Sequence, residues 1–112
     1  MPKSSPTLTR VFHALADPTR LAVVERLTAG PAATSELARP FKMALPSFLQ
    51  HLDVLQKSGL VRSSKAGRVR TYELAPAAMK QAEDWMARQR AVWERRLDQL
   101  DSFLNDLKEK QG

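Results

Sequence analysis

The fold of this chain is decided by residues 45–74, which read LPSFLQHLDVLQKSGLVRSSKAGRVRTYEL. Phe48, Leu52 and Leu55 recur at steps of three and four residues, so their side chains share one face of a helix. This spacing predicts an amphipathic helix over residues 44–57 whose remaining faces are polar.

The pattern changes period after this helix. Residues 60–64 predict a strand, Ala66 and Gly67 a tight turn, and residues 68–74 a returning strand, because Val, Thr and Tyr favour extended backbone. Arg and Lys are concentrated around the turn. The stretch therefore predicts a helix followed by a basic β-hairpin.

Three shorter helices are predicted upstream. Thr7 is expected to cap the first, Asp17 to cap a second that begins at Pro18, and Thr34 or Ser35 to cap a third over residues 35–38. Residues 1–6 are polar and contain prolines, which predicts a flexible leader. The positions expected to face inward are Leu8, Val11, Phe12, Leu15, Leu21, Val24, Leu27 and Leu37.

A long amphipathic helix of roughly 30 residues is predicted to begin at Pro76. We therefore divide the chain into the leader, a domain over residues 7–75 and this helix over residues 76–112. Its apolar positions are Met79, Ala82, Met86, Trp93, Leu97, Leu100, Leu104 and Leu107. The preceding domain is too small to cover so long a stripe, which favours a partner helix.

The composition excludes several classes of protein. At 112 residues, with 43% apolar residues, the chain is expected to form one globular domain. No run of 18 apolar residues or secretory leader is present, so a cytoplasmic protein without a membrane span is expected. The chain has no cysteine, which excludes disulfides, thiolate metal sites and cysteine catalysis.

The net charge of +6 is unevenly distributed. Residues 1–75 carry 11 Lys and Arg against 5 Asp and Glu, whereas residues 76–112 carry 7 of each. Basic residues follow one another without an acid from Lys57 to Arg70. A localised basic surface is typical of a protein that binds a polyanion, although it can also be a solvated face.

Several blocks of sequence resemble the arsenic-repressor (ArsR/SmtB) family. They are LADPTRL at 15–21, LPSFLQHL at 45–52, SGLV at 58–61, AGR at 66–68 and YEL at 72–74. Their order and spacing also fit, over about residues 8–75. The resemblance implies a winged helix-turn-helix, mainly helical with a small β-hairpin, in a homodimeric repressor that binds an inverted-repeat operator.

The resemblance also implies that the first and last helices form the dimer contact. The residues we expect there are Leu8, Phe12, Met86, Trp93, Leu97, Leu100 and Leu104. Trp85 and Trp93 are more readily explained by such packing than by an effector site.

The chain departs from the metal-sensing members of the family. Residues 35–39 contain no thiol, the last helix contains no histidine, and His13 and His51 lie on different elements. We therefore expect no metal site and no cofactor, and the chain resembles the metal-independent branch with an extended C-terminal helix. An effector of another chemical class remains open.

The residues expected to contact DNA lie on the helix over residues 44–57 and on the hairpin. A helix of this kind fits the major groove, and a wing can reach adjacent phosphates or the minor groove. Gln50 can pair with adenine, and Leu49 can contact a thymine methyl or cover the turn. The full set is Pro46, Ser47, Leu49, Gln50, His51, Lys57, Lys65, Arg68 and Arg70.

Two of these interpretations stay open from sequence alone. His51 can contact phosphate or pack at the edge of the core. Arg20 can tie helices together or contact phosphate.

A rival function is a helical adaptor whose basic hairpin binds RNA or an acidic protein. An enzyme is not expected, because the chain has two histidines, no cysteine and no glycine-rich phosphate loop.

Overall fold

The computed structural model describes residues 6–111, in which it places five helices and three strands. They are α1 (Pro6–Leu15), α2 (Pro18–Leu27), β1 (Ala32–Ala33), α3 (Thr34–Ala38), α4 (Leu45–Lys57), β2 (Val61–Ala66), β3 (Val69–Leu74) and α5 (Pro76–Gln111). The mainly helical, winged helix-turn-helix fold predicted from the sequence is confirmed. Most of the predicted flexible leader, residues 1–5, lies outside the described residues, and Pro6 already belongs to α1.

The sheet has three antiparallel strands in the order β1-β3-β2, so the prediction of a hairpin alone was incomplete. Ala32 pairs with Tyr72 and Ala33 with Thr71. Two alanines do not favour a strand by themselves. They form one here because they pair with β3, which is distant in sequence, so the local sequence could not predict it.

The wing turn is one residue later than predicted. Ala66 pairs with Val69, which leaves Gly67 and Arg68 as a two-residue loop. Gly67 has φ +61° and no non-glycine residue in the described chain has positive φ, so the loop is of type II′, in which glycine takes the first central position. Arg68 therefore lies at the tip of the wing and not at the start of β3.

The first residues of the helices are stabilised by local capping contacts, and two of the predicted N-cap residues, those of α1 and α3, were wrong. Asp17 caps α2 as predicted, since its carboxylate accepts a hydrogen bond from the Arg20 backbone N–H at 3.0 Å. Thr7 lies inside α1 and does not cap it. The N-cap of α3 is Ala33, whose backbone N–H donates to the Glu36 carboxylate at 3.1 Å.

The core lies where α4 packs against α1, α2 and the sheet. Phe48, Leu52 and Leu55 of α4 are buried as predicted. On α2 the predicted inward face was wrong at one position, because Leu21 is 44% exposed and Val23 is buried beside Val24. The other buried apolar residues are Leu8, Val11, Ala14, Leu27, Ala32, Leu37, Leu60, Val61, Tyr72, Ala78 and Ala82.

Arg20 connects three helices through its guanidinium group. Its Nε donates to the backbone oxygen of Ala14 at 2.8 Å, near the end of α1. Its Nη1 lies 2.9 Å from Nδ1 of His51 on α4. A guanidinium has no acceptor, so His51 accepts this bond. Arg20 lies on α2 and its side chain joins α1 to α4. This agrees with the first of the two alternatives, that Arg20 ties helices together.

The chain divides into two compact units after Ala82. The first turns of α5 belong to the first unit, because Ala78 and Ala82 are buried in its core. The second unit is the remainder of α5, from Glu83 onward. Among the described residues, no helix combines the length and the apolar character that crossing a membrane requires.

We predict that stability depends on the charge of Asp17 at low pH. The Arg20 backbone N–H, helped by the nearby His51 and Arg20 side chains and opposed by burial, lowers the pKa of the Asp17 carboxyl below its ordinary value. A lowered folded-state pKa stabilises the fold above the unfolded-state pKa, and this contribution is lost as the pH falls through the folded-state pKa.

The test compares Asp17→Asn, which keeps a capping oxygen but cannot titrate, with Asp17→Ala, which lacks both. At neutral pH the alanine variant should lose about 1 kcal/mol of unfolding free energy. The advantage of the native chain over Asp17→Asn should shrink as urea unfolding is repeated from about pH 5 to about pH 2. A constant difference over that range would contradict the assignment.

Candidate nucleic-acid interface

The outer surface of α4 presents a continuous set of exposed side chains. Phe48, Leu52 and Leu55 are buried, His51 and Val54 are half-buried, and the rest of the helix surface is open. The exposed positions are Leu45, Pro46, Ser47, Leu49, Gln50, Asp53, Gln56 and Lys57. Pro46, Ser47, Leu49, Gln50 and Lys57 are therefore available to a ligand as expected, and their contact with DNA stays a prediction.

Lys57 is not a free cation on this surface. Its Nζ lies 2.9 Å from the Asp53 carboxylate, one helical turn earlier. An exposed ion pair of this kind is weak, so a phosphate can replace the carboxylate at small cost. The pair nevertheless makes the C-terminal end of α4 less basic than the sequence count indicates.

His51 lies on the inner edge of α4, half-buried, and its Nδ1 accepts from Arg20. The Asp17 carboxylate is 3.7 Å from the same nitrogen. Because Nδ1 is an acceptor in this arrangement, a neutral His51 carries its proton on Nε2. The structure thus gives His51 a role in joining α4 to α2, and a phosphate contact through Nε2 stays a prediction.

The wing presents its cations in two groups. Arg62 is paired with Glu73 across the hairpin at 2.8 Å. Lys65 and Arg70 are opposite each other on the other face, and Arg68 lies at the tip. In the described part of the chain, neither Lys65 nor Arg68 is paired with a carboxylate. These two cations are therefore the ones most available to an anionic partner.

Arg70 takes part in a hydrogen-bonded chain that sequence analysis missed. Its Nη1 donates to the Ser63 hydroxyl at 2.8 Å, and that hydroxyl donates to the Gln56 side-chain oxygen at 3.1 Å. Gln56 belongs to α4 and Ser63 to β2, so the chain links the wing to α4. No local pattern could have revealed it, because it joins three elements through exposed side chains.

The connection between α3 and α4 adds two exposed cations, Arg39 and Lys42, which the predicted set omitted. Phe41 between them stacks on Phe48 with ring centroids 5.4 Å apart, and this contact fixes the connection against α4. Arg39 and Lys42 were visible in the sequence as part of the basic excess of residues 1–75. They extend the basic surface to the N-terminal side of α4.

No group of three or more His, Cys, Asp or Glu side chains within the described residues is arranged to hold a metal ion. Thr34, Ser35, Arg68 and Arg70 line an open cleft of about 230 Å³ between the start of α3 and the wing. This cleft is flanked by arginines, which suits an anion better than a cation.

The second unit carries exposed apolar side chains in a regular row. Trp93 is 63% exposed, and the row continues through Leu97, Leu100, Leu104 and Leu107. Their spacing of four and three residues is that of a coiled-coil heptad. Met86 is also exposed, as is Phe103, which the predicted set omitted.

The two predicted dimer residues on α1 are covered by the core, unlike the exposed row on α5. Leu8 is only 8% exposed and belongs to the core, and Phe12 is half-buried against it. Leu8 therefore has little surface left for a partner, because the core of its own unit already covers it.

A family model described as a helix-turn-helix domain matches residues 15–64. Among curated proteins, the chain is 47% identical over 70 residues to an HTH-type transcriptional regulator of Mycobacterium tuberculosis, Rv2034. That match covers 62% of this chain and 65% of the regulator, so it spans a little less than two thirds of the relative. The transcriptional repressor SdpR of Bacillus subtilis is 27% identical over 79 residues, covering 70% and 88% of the two chains.

Solved structures show the same relationship over a larger share of the molecule. An ArsR family transcriptional regulator, RHA00566, is 51% identical, with a TM-score of 0.76 over 79% of this chain and 97% of its own. An ArsR-like regulator from Rhodococcus sp. RHA1 is 32% identical, with a TM-score of 0.73 over 87% and 92%. The chain belongs to the ArsR family of transcriptional regulators.

Proposed function

We propose that this chain is a transcriptional repressor that binds an inverted-repeat operator in double-stranded DNA as a homodimer and regulates its own operon. The observation that carries the proposal is the exposed surface of α4, with Ser47 and Gln50, beside a wing that presents Lys65 and Arg68. The repressor name of the similar Bacillus subtilis protein supports the direction of regulation. Because the proposed partner is chromosomal DNA, we expect the chain to act in the cytoplasm.

The two parts of the surface suit different tasks. Gln50 and Ser47 are on a helix narrow enough for the major groove, where base edges differ in their hydrogen-bonding groups. Arg68 and Lys65 are on a hairpin tip that suits phosphates or a narrow minor groove. In this proposal α4 supplies most of the sequence preference and the wing supplies most of the sequence-independent affinity.

The homodimer is supported by the row from Trp93 to Leu107. Exposed apolar residues in a heptad pattern are stable in water when a second helix covers them. A second copy of the same helix would provide a matching row, and a symmetric dimer matches the symmetry of an inverted repeat. Met86 lies one heptad before Trp93 and extends the proposed contact.

We predict that mutations on α4 change the sequence preference of DNA binding, whereas mutations on the wing change its affinity for any duplex. A duplex selected by the full-length chain from a random-core library serves as the probe, with a scrambled duplex beside it. Gln50→Ala should weaken binding to the selected duplex by roughly 1–3 kcal/mol and relax preference at one position per half-site. Arg68→Ala should weaken binding to both duplexes and lower the salt slope by about one per protomer.

Arg62→Ala is the matched control for the wing, because Arg62 lies on the same hairpin but is paired with Glu73. It should leave the salt slope close to that of the native chain. If Gln50→Ala and Arg68→Ala behave alike and neither changes specificity, α4 does not have the proposed role. Equal binding of selected and scrambled duplexes by the native chain would favour the adaptor function instead.

We also predict that Trp93→Glu converts a dimer into a monomer. An unpaired carboxylate in a buried apolar interface costs several kcal/mol. Sedimentation velocity at micromolar concentration should show the native chain as a dimer and this variant as a monomer. Gln99→Glu, which adds the same side chain away from the apolar row, should remain dimeric. A native monomer, or a Trp93→Glu dimer of unchanged stability, would contradict the assignment.

A further inference from the structure

Two large apolar side chains are exposed on the surface of α4 that we propose to face DNA. Leu45 is 54% exposed and Leu49 is 41% exposed. They are four residues apart, so they are neighbours on one side of the helix. Phe48, by contrast, is 1% exposed, so the buried face of α4 is formed by other residues and the two leucines keep about half of their surface open.

The position of the two leucines follows from the contacts on either side of the helix. At 100° per residue, Leu45 and Leu49 are aligned with Gln56, whose side chain is bonded to Ser63 of β2. His51 lies on the opposite flank, where it is bonded to Arg20. The leucines are therefore on the flank of α4 that faces the wing, and Gln50 is about 100° around the helix from Leu49.

The exposed charges that precede this apolar pair and those on the wing are mostly cations, and Asp53, the only carboxylate of α4, is paired with Lys57. Lys42 is exposed three residues before Leu45, and the unpaired Lys65 and Arg68 are on the wing, the element to which this side of α4 is bonded. A partner that covers the leucines must therefore also be anionic around its apolar groups. A second copy of this basic unit lacks that charge complementarity, whereas duplex DNA has it.

The major groove of DNA offers one apolar group to a protein, the C5-methyl of thymine. Leu45 and Leu49 are about 6 Å apart along the helix axis, and successive base pairs are about 3.4 Å apart. The two leucines can therefore reach base pairs that are one or two positions apart. We propose that Leu45 and Leu49 contact thymine methyl groups, which gives at least one position in each half-site a preference for a T·A pair. This inference rests on the proposed DNA-binding function and specifies what α4 recognises.

The test removes the methyl group and nothing else. In the duplex selected from the random-core library, each thymine is replaced in turn by deoxyuridine, which keeps its pairing edge and its O4 acceptor. The dissociation constant of the full-length native chain is measured by fluorescence anisotropy. At one or two positions per half-site we expect binding about fourfold weaker, the effect of one buried methyl group.

Leucine variants connect the methyl effect to the residues. Leu45→Ala or Leu49→Ala should bind the thymine duplex about fourfold more weakly and should no longer distinguish it from the deoxyuridine duplex at the matching position. Leu21→Ala is the matched control, since Leu21 is a similarly exposed leucine on α2. It should retain the full discrimination.

Each result has a distinct meaning. If the chain selects a sequence but no deoxyuridine changes binding beyond twofold, or if both leucine variants keep the discrimination, the thymine contact is overturned and DNA binding stands. If the leucine variants weaken self-association and leave the deoxyuridine ratio unchanged, a second copy covers the pair and the thymine contact is likewise overturned. If the chain selects no sequence, the proposed function fails together with this inference.

Discussion

The burial of one face of α4 is the contact on which the rest of the structure depends. Phe48, Leu52 and Leu55 fill the space between α1, α2 and the sheet, and Phe41 stacks on Phe48 to hold the connection that precedes the helix. Burying three large side chains on one face stabilises the helix by several kcal/mol, at about 1.5–3 kcal/mol for each. The opposite face is consequently open and free to carry residues that contact a ligand.

Two polar contacts then orient this helix within the first unit. Arg20 joins its inner edge to α1 and α2 through His51, and the Arg70–Ser63–Gln56 chain joins its outer edge to the wing. One contact is partly buried and the other is exposed, so the first contributes more to stability than the second. Together they give α4 a defined position relative to both the core and the wing, which a surface that recognises a regular duplex requires.

The sequence predicted much of this architecture because its signals are local. The heptad-like steps of α4, the Asp17-Pro18 helix start and the two strands of the wing are visible within windows of a few residues. The errors arise where tertiary context decides. Leu21 fits an inward helical pattern but is exposed because Val23 occupies the core, and β1 exists only because β3 pairs with it.

The candidate site was predictable to a similar extent. Exposure of the outer face of α4 follows from its buried face, so its DNA-contact candidates could be named from spacing alone. The partner of His51, the pairing of Lys57 with Asp53 and the relay from Arg70 to Gln56 depend on side-chain positions that no spacing rule supplies.

In the proposed function, duplex DNA covers the outer face of α4 and the tip of the wing. This placement can be tested by hydroxyl-radical footprinting of the 112-residue chain, read by mass spectrometry with and without the selected duplex. We expect DNA to protect Leu45, Leu49 and the exposed Val69 of the wing, while the exposed Leu21 on α2 stays equally reactive. Protection of Leu21 with unchanged reactivity at Leu45 and Leu49 would contradict it.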